Sequence, residues 1–206
     1  STLAMFDGAI RHILKRHHNI ENPTFEEIQD YYNENLHPDK IDFNDQEVYT
    51  NIFHKGKWAG IFQFTEEGAQ NFCKKAKPNN IINIAAITSI YRPGPLGADV
   101  DKLYVEAKEN PDDIVYENDI VKEVTKETYG FLIFQEQIAL LAHKLGKNFS
   151  LDEGNKLRKL LTKKGTGAVT EQKNKLKIKF AEGCAEKGMT EKAANSLWKK
   201  FEYFSG

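Results

Sequence analysis

The chain has 206 residues, of which 40% are hydrophobic and 29% charged, and its formal net charge is −1. This composition suffices for one hydrophobic core or two small helical lobes and argues against a disordered chain. No apolar run approaches the roughly 20 residues that cross a bilayer, and charged residues already occupy the start of the chain where a signal peptide would be apolar. The two cysteines, Cys73 and Cys184, lack the spacing of a zinc site or a disulfide framework. We therefore expect a cytoplasmic location and no membrane partner.

The N-terminal region has the periodicity of amphipathic helices. Apolar residues recur at every third or fourth position over residues 3–18, which predicts a first helix. Thr24 and Glu27 have the spacing of a capping box and predict the start of a second helix. Residues 1–40 are accordingly expected to form N-terminal helices, and residues 41–206 a second domain.

The middle of the chain alternates between helical and irregular patterns. Residues 58–64 (Trp-Ala-Gly-Ile-Phe-Gln-Phe) suggest a short extended segment, after which Thr65 is expected to cap a helix that runs to about Ala76. Residues 80–91 are apolar with helical spacing. The segment 91–97 contains two prolines and two glycines, so it is predicted to be a loop without regular structure. An acidic stretch follows, and then a further helix over 117–127.

The C-terminal part predicts the longest helices. Tyr129-Gly130 is expected to form a turn, Ser150 and Glu153 form a further capping box, and Thr190 caps the last helix. The predicted helices cover residues 133–145, 151–164, 170–187 and 191–203. The fold class is therefore mainly α, with at most short strands.

Charge is distributed unevenly along the chain. Residues 21–50 contain nine acidic residues and one basic residue, whereas residues 156–179 contain nine basic residues and one acidic residue. Such asymmetry is expected when one face meets a polyanion. A lysine-rich helix that simply faces solvent would have the same composition, so charge alone leaves both interpretations open.

Five short motifs occur in a fixed order. They are Gly-Ile-Phe-Gln-Phe-Thr-Glu at 60–66, Tyr-Arg-Pro-Gly-Pro-Leu at 91–96, Thr-Tyr-Gly at 128–130 with Gln-Glu-Gln at 135–137, Leu-Arg-Lys at 157–159 with Lys163 and Lys164, and Phe-Ala-Glu-Gly at 180–183. Their order and spacing resemble the alpha subunit of bacterial DNA polymerase III, of the C family of DNA polymerases. The resemblance is good over residues 42–206 and weak over the N-terminal helix.

This resemblance implies a helical fingers domain over residues 41–206, with residues 1–40 linking it to a palm domain. A fingers domain of this kind closes over template, primer end and deoxynucleoside triphosphate during DNA replication. The family's K-F-D-x-L-G and G-F-N-K-S-H segments have no counterpart in residues 1–206, and the palm carboxylates that hold Mg²⁺ are expected outside this chain. We therefore expect no catalytic residue and no metal ligand here, and no polymerase activity from the chain alone.

The candidate nucleotide-binding residues are cationic. The stiff Pro-Gly loop would aim Arg92, whose planar guanidinium suits phosphate oxygens, although Arg92 could equally pair with a local acid. By resemblance, Arg158 and Lys159 replace a basic pair that contacts the phosphates of the incoming nucleotide, with Lys159 where the family usually has arginine. Lys156, Lys159 and Lys163 should share one stripe of a helix. The predicted nucleotide-binding set is Arg92, Arg158, Lys159, Lys163 and Lys164.

Two further sets of residues complete the predicted site. Template-primer DNA is expected to contact Lys156, Lys173, Lys175, Lys177 and Lys179. The supporting residues are Gln63, Tyr129, Gln135, Glu136 and Gln137. The trio at 135–137 would either brace the basic helix or reach the template base, and bracing is favoured because buried polar groups need hydrogen-bond partners. Phe62, Phe64 and Phe134 could stack on bases, but core packing is the favoured interpretation.

Three functions compete. The first is a polymerase fingers domain with DNA, deoxynucleotides and the palm and thumb as partners. The second is a helical module that binds nucleic acid without taking part in catalysis, and the third is a purely structural interaction module.

Overall fold

A computed structural model describes residues 2–163, 165 and 167–205, and excludes the side chains of residues 2, 94, 97, 204 and 205. All regular structure in these residues is helical, so the predicted mainly α class is confirmed. The chain forms two compact units, Ser1–Asp45 and Gln46–Gly206. In the part of the chain described, no helix is both long and apolar enough to span a membrane.

The first unit is a pair of helices, α1 (Thr2–His18) and α2 (Phe25–Asn35), followed by a 3₁₀ turn at Pro38–Lys40. The predicted capping box is present, since the Thr24 hydroxyl accepts from the Glu27 amide at 3.2 Å and the Glu27 carboxylate accepts from the Thr24 amide at 3.5 Å. Its small core is formed by Ile10, Leu14 and Ile28. This pairing buries one apolar stripe from each helix.

The second unit begins with a helical turn, α3 (Gln46–Val48), which continues as π-helix over Tyr49–Phe53. The next helices are α4 (Glu67–Ala76), α5 (Ile81–Ile90), α6 (Pro93–Gly97) and α7 (Val100–Glu109). Their apolar faces form a first cluster around Phe72, Cys73, Ile87 and Tyr104. The partly buried rings of Tyr91 and Phe134 pack against this first cluster.

The remaining helices of the second unit are α8 (Asp119–Thr125), α9 (Gln135–Leu145), α10 (Leu151–Leu161), α11 (Gly167–Glu186) and α12 (Glu191–Ser205). They enclose a second cluster with Leu141, Leu157, Phe180 and Trp198 at its centre. Gly154 lets α10 approach α9 closely, because a Cβ there would overlap the backbone carbonyl of Ala139. The predicted capping box of α10 is confirmed, since the Ser150 hydroxyl accepts from the Glu153 amide and the Glu153 carboxylate accepts from the Ser150 amide. The predicted cap of α12 is confirmed by the Thr190 hydroxyl, which accepts from the Ala193 amide.

The predicted extended segment at 58–64 is wrong. Two successive turns replace it, with hydrogen bonds from the Ile61 amide to the Trp58 carbonyl (3.0 Å) and from the Phe64 amide to the Ile61 carbonyl (3.4 Å). Gly60 and Gln63 adopt positive φ angles of 78° and 65°, which reverse the chain direction. The helix that follows is capped at Glu66 rather than Thr65, without a side-chain hydrogen bond.

The predicted irregular loop at 91–97 is also wrong in part. Pro93–Gly97 form a short helix, because proline is compatible with the first helical turn, where backbone amides have no acceptor within the helix. The acidic stretch after it contains helix α7, which the sequence analysis does not predict. Tyr104, fully buried in the first cluster, is the residue that anchors α7.

Candidate nucleotide and nucleic-acid interface

Arg92 lies at the end of α5 beside a cavity of about 500 Å³. Its side chain is exposed, and its guanidinium has no hydrogen-bond or ion-pair partner among the described residues. The expected alternative, pairing with a local acid, is thus absent from this part of the structure. The polar residues that line the cavity with Arg92 are Gln63, Thr65, Glu66, Thr88 and Tyr91.

Tyr91 lines the same cavity and packs against the first cluster. Its ring lies over Gly68, where a Cβ would overlap the tyrosine hydroxyl. Partial burial, and then the charge and hydrogen bond of the Glu66 carboxylate, raise the pKa of Tyr91. Glu66 forms no ion pair with Arg92 among the described residues, so the Arg92 guanidinium remains available to an external anion.

Arg158, on α10, is hydrogen-bonded by two side chains, one at the start of α9 and one on α10 itself. Its Nη1 donates to Gln135 Oε1 at 2.6 Å, and its Nε donates to Asn155 Oδ1 at 3.1 Å. Gln135 is the first residue of α9, and Asn155 precedes Arg158 by three positions on α10. These bonds aim the guanidinium while leaving part of its donor set free. Asn155 is the residue that sequence analysis missed, although its i−3 spacing from Arg158 is a detectable signal.

Gln137 faces inward, unlike its neighbours Gln135 and Glu136, which are exposed. Its Oε1 accepts from the amides of Ile133 and Phe134, both at 2.9 Å. Its Nε2 donates to the Thr128 hydroxyl at 2.8 Å and to the Val124 carbonyl at 3.4 Å. Gln137 therefore ties the start of α9 to the end of α8, whereas the predicted bracing of the basic helix comes from Gln135.

The predicted basic stripe of α10 is shorter than expected. Lys156 and Lys159 are exposed on the helix, but α10 ends at Leu161, so Lys163 lies beyond its last turn. The prediction that Lys163 shares the helical stripe is therefore wrong. Lys164, also predicted to bind the nucleotide, lies outside the described residues.

The lysines of α11 differ in whether their ammonium groups have hydrogen-bond or ion-pair partners among the described residues. Lys173 donates to the Lys163 carbonyl at 3.3 Å, and Lys175 pairs with Glu171 at 2.8 Å. Lys177 is exposed and has no hydrogen-bond or ion-pair partner in the described residues.

The ammonium of Lys179 is bound by other groups of the chain. Its ammonium contacts the Glu153 carboxylate at 2.7 Å and the Asn148 carbonyl at 3.1 Å, and lies 5.3 Å from the centre of the Phe149 ring. The hydrogen bond from Lys179, followed by that from the Ser150 amide, lowers the pKa of Glu153. This ion pair connects α11 to the start of α10 and reduces the charge that Lys179 presents to solvent.

The remaining supporting residues occupy two different environments. Tyr129 has a left-handed backbone (φ 54°), confirming the predicted turn, and its hydroxyl accepts from Asn83 Nδ2 at 3.4 Å. Its ring packs edge-on against buried Tyr104, with centroids 5.5 Å apart. Gln63 is exposed and lines the Arg92 cavity.

Arg92 and Arg158 lie at different elements of the second unit. Arg158 is not among the described residues that line the cavity beside Arg92. Both arginines are linked to the first cluster through neighbouring residues. Tyr91, which precedes Arg92, packs against this cluster. Phe134, which precedes Gln135, packs against it as well. The Arg158 guanidinium is thus anchored to the residue after Phe134.

The three candidate aromatic residues have different exposures. Phe64 is 2% exposed and Phe134 is half-buried, so core packing is confirmed for both. Phe62 is 84% exposed, and the prediction that it packs in the core is wrong. The reversal of chain direction at Gly60 and Gln63 directs Phe62 outward, an effect that the apolar pattern does not reveal.

Across residues 2–163, 165 and 167–205, no group of three or more His, Cys, Asp or Glu side chains is arranged to hold a metal ion.

Comparison with known proteins places this helical arrangement in a family. The family model for the bacterial DNA polymerase III alpha subunit finger domain matches residues 18–188. The chain belongs to this finger-domain family. Among its relatives, the DNA polymerase III subunit alpha of Treponema pallidum is 34% identical over 166 residues, covering 80% of this chain and 14% of the relative.

Two other relatives extend the comparison. The DNA polymerase III subunit alpha of Aquifex aeolicus is 31% identical over 81% of this chain and 14% of its own length. That of Campylobacter jejuni is 31% identical over 205 residues, which covers 100% of this chain and 15% of the relative. This finger domain thus spans about one seventh of the relatives' length.

Proposed function

We propose that this finger domain binds the incoming deoxynucleoside triphosphate and the template-primer DNA of a DNA-directed DNA polymerase during DNA replication. The observation that carries the proposal is the double support of Arg158 by Gln135 and Asn155. A guanidinium that is already oriented loses less conformational entropy when it binds phosphate.

The triphosphate is proposed to bind near Arg158. Lys159 is exposed on the same helix, and Lys163 follows the helix end, so two further cations lie close to Arg158 in sequence. Arg92 supplies a further guanidinium, unpaired among the described residues, beside a cavity that Arg158 does not line, so it is proposed to bind a different phosphate group. Lys164 belongs to the same sequence motif and is included on that ground alone.

The DNA backbone is proposed to bind the exposed lysines of α10 and α11. Lys177 is the strongest candidate because its ammonium is free among the described residues. Lys156, Lys173 and Lys175 contribute around it. Lys179 is the weakest member of the predicted set, since its ammonium already contacts Glu153 and Asn148.

The test compares Arg158→Ala and Lys177→Ala in the 206-residue chain. Binding of dATP is followed by ³¹P NMR, and binding of a fluorescent primer-template by anisotropy over a range of salt concentrations. Arg158→Ala should weaken dATP binding by about tenfold or more, as expected for a charge-assisted hydrogen bond. Lys177→Ala should leave dATP binding unchanged and lower the salt slope of DNA binding by about 0.9, the value for one phosphate contact.

Lys192→Ala is the matched control, because Lys192 is an exposed lysine on α12 outside the basic segment. It should change neither ligand's binding. Equal effects of the Arg158 and Lys177 changes on both ligands would contradict the division of roles. Binding of DNA without any effect of Arg158 on dATP would favour the non-catalytic nucleic-acid-binding module instead.

Catalysis is proposed to require other parts of the polymerase. The palm and thumb are the proposed protein partners, the palm carboxylates would hold the Mg²⁺ ions, and the cytoplasm is the proposed location. We expect the purified chain to add no nucleotides in a Mg²⁺-dependent primer-extension assay. Robust incorporation would show that this assignment of catalytic groups is wrong.

A further inference from the structure

Phe62 is an exposed aromatic side chain on a turn whose two ends are anchored. It is 84% exposed, whereas Phe64, two residues later, is 2% exposed and stacks on Trp58 with ring centroids 5.4 Å apart. The Phe64 carbonyl also accepts from Gln70 Nε2 at 2.8 Å. These contacts therefore fix the backbone on one side of Phe62, while its ring remains exposed to solvent.

The backbone of this turn is unusual on both sides of Phe62. Gly60 has φ 78° and Gln63 has φ 65°, and positive φ is uncommon for a residue with a side chain. Such conformations persist only where surrounding structure maintains them, and they concentrate at functional sites. Here the conformation orients two neighbouring side chains differently, with Phe62 in solvent and Gln63 in the lining of the Arg92 cavity.

The exposed residues close to Phe62 in the chain have no large apolar side chain. Gly60, Gln63 and Thr65 are all exposed, and Arg92 lies across the cavity that Gln63 lines. A protein interface would need a contiguous apolar area around the ring. A single exposed aromatic ring, one residue before the Gln63 that lines a cavity with the exposed Arg92, instead matches proteins that bind single-stranded nucleic acid, in which bases stack on rings and cations bind the backbone.

We infer that Phe62 is a stacking residue for an unpaired base of single-stranded DNA, with Arg92 binding a phosphate of the same strand. This inference deepens the proposed function, because it assigns the Arg92 cavity to a strand outside the duplex. Bases within a duplex have both faces covered by neighbouring base pairs, so only an unpaired base offers a face to Phe62. Glu66 also lines this cavity, and its charge would weaken phosphate binding without abolishing it, because Arg92 is exposed and forms no ion pair with it among the described residues.

The test measures binding of two single-stranded oligonucleotides to the 206-residue chain by fluorescence anisotropy. One is oligo-dT, and the other has the same length and backbone but abasic sites throughout. Phe62→Ala should weaken binding of oligo-dT about fivefold or more, the range that base–aromatic stacking gives. It should leave binding of the abasic strand unchanged, whereas Arg92→Ala should weaken both.

Two variants complete the design. Phe62→Trp should retain binding of oligo-dT, because it keeps an aromatic face. Phe25→Ala is the matched control, since Phe25 is 75% exposed in the other unit, and it should change neither strand. Circular dichroism and thermal unfolding verify that each variant keeps the fold.

The inference is overturned if Phe62→Ala has no effect, or if it weakens binding of the two strands equally. A wild-type chain that binds the abasic strand as tightly as oligo-dT would overturn it as well. In any of these cases the proposed function still stands, provided that Arg158→Ala impairs dATP binding and Lys177→Ala impairs duplex binding. Loss of those two effects would instead refute the proposed function itself.

Discussion

Gln137 is the residue on which the start of α9 depends. Its side-chain amide contacts two backbone amides, one hydroxyl and one carbonyl, so all of its hydrogen-bonding groups are used. The side chain is 8% exposed, which leaves water little access to replace these bonds. Such a residue contributes to stability chiefly because its absence would leave buried groups unpaired.

Gln137→Leu should therefore lower the free energy of unfolding by about 2 kcal/mol or more, since the Ile133 and Phe134 amides would lose their acceptor. The measurement is urea denaturation followed by circular dichroism.

Gln135→Leu is the matched control for that experiment. It makes the same chemical change two residues earlier, at an exposed position whose partner is Arg158. Its unfolding free energy should stay within about 0.5 kcal/mol of the unchanged chain. A loss of stability as large as that of Gln137→Leu would show that burial does not explain the different contributions expected of the two glutamines.

At the scale of elements, the candidate site depends on the close approach of α9 and α10. The first residue of α9, Gln135, supports Arg158 from α10, so the distance between these helices sets the position of the guanidinium. Gly154 permits that approach, because any Cβ would meet the Ala139 carbonyl. The Lys179–Glu153 ion pair then joins α11 to the same end of α10.

Gly154→Ala should destabilise the second unit by about 1–3 kcal/mol, as overpacking in a close helix contact typically does. It should also weaken dATP binding, because separating the helices would lengthen the bond between Arg158 and Gln135. Thermal unfolding and the ³¹P NMR titration measure the two effects.

Gly167→Ala is the control for this substitution. Gly167 begins α11 and has no atom within 4 Å of the position that a Cβ would take. Alanine should be tolerated there, with stability unchanged or slightly raised. Equal destabilisation by both substitutions would mean that the α9–α10 contact is not what Gly154 provides.

At the scale of the whole chain, the second unit contains two hydrophobic clusters, each with one buried cysteine. Cys73 lies in the first cluster and Cys184 in the second, and both are fully buried. Burial raises the pKa of Cys73 to about 12 and that of Cys184 to about 11. Because the thiolate is the reactive form, both residues should be inert in the folded chain.

Iodoacetamide at pH 8, with mass spectrometry of digested samples, should thus label neither cysteine in buffer and both in concentrated urea. At intermediate urea, the order of labelling reports which cluster opens first. Rapid labelling of either cysteine in buffer would contradict the burial of its cluster.

Local sequence signals were enough for the features that short-range contacts create. The Thr24–Glu27 and Ser150–Glu153 capping boxes join residues three positions apart, and the sequence predicts both correctly. The ordered motifs also identified the family, since they preserve residue types at fixed spacing. The cationic character of α10 and α11 follows from composition alone.

Features that depend on distant contacts needed the tertiary structure. Helix α7 escaped prediction because its acidic surface hides the packing of Tyr104, and Phe62 was expected in the core because its outward direction is set by the backbone at Gly60 and Gln63. Whether a lysine is free is likewise decided by its neighbours in space, as the contrast between Lys177 and Lys179 shows. By itself, the sequence determined the family, the helical class and the pool of candidate cations. Packing between helices decided which of those cations face solvent, because that depends on groups remote in the chain.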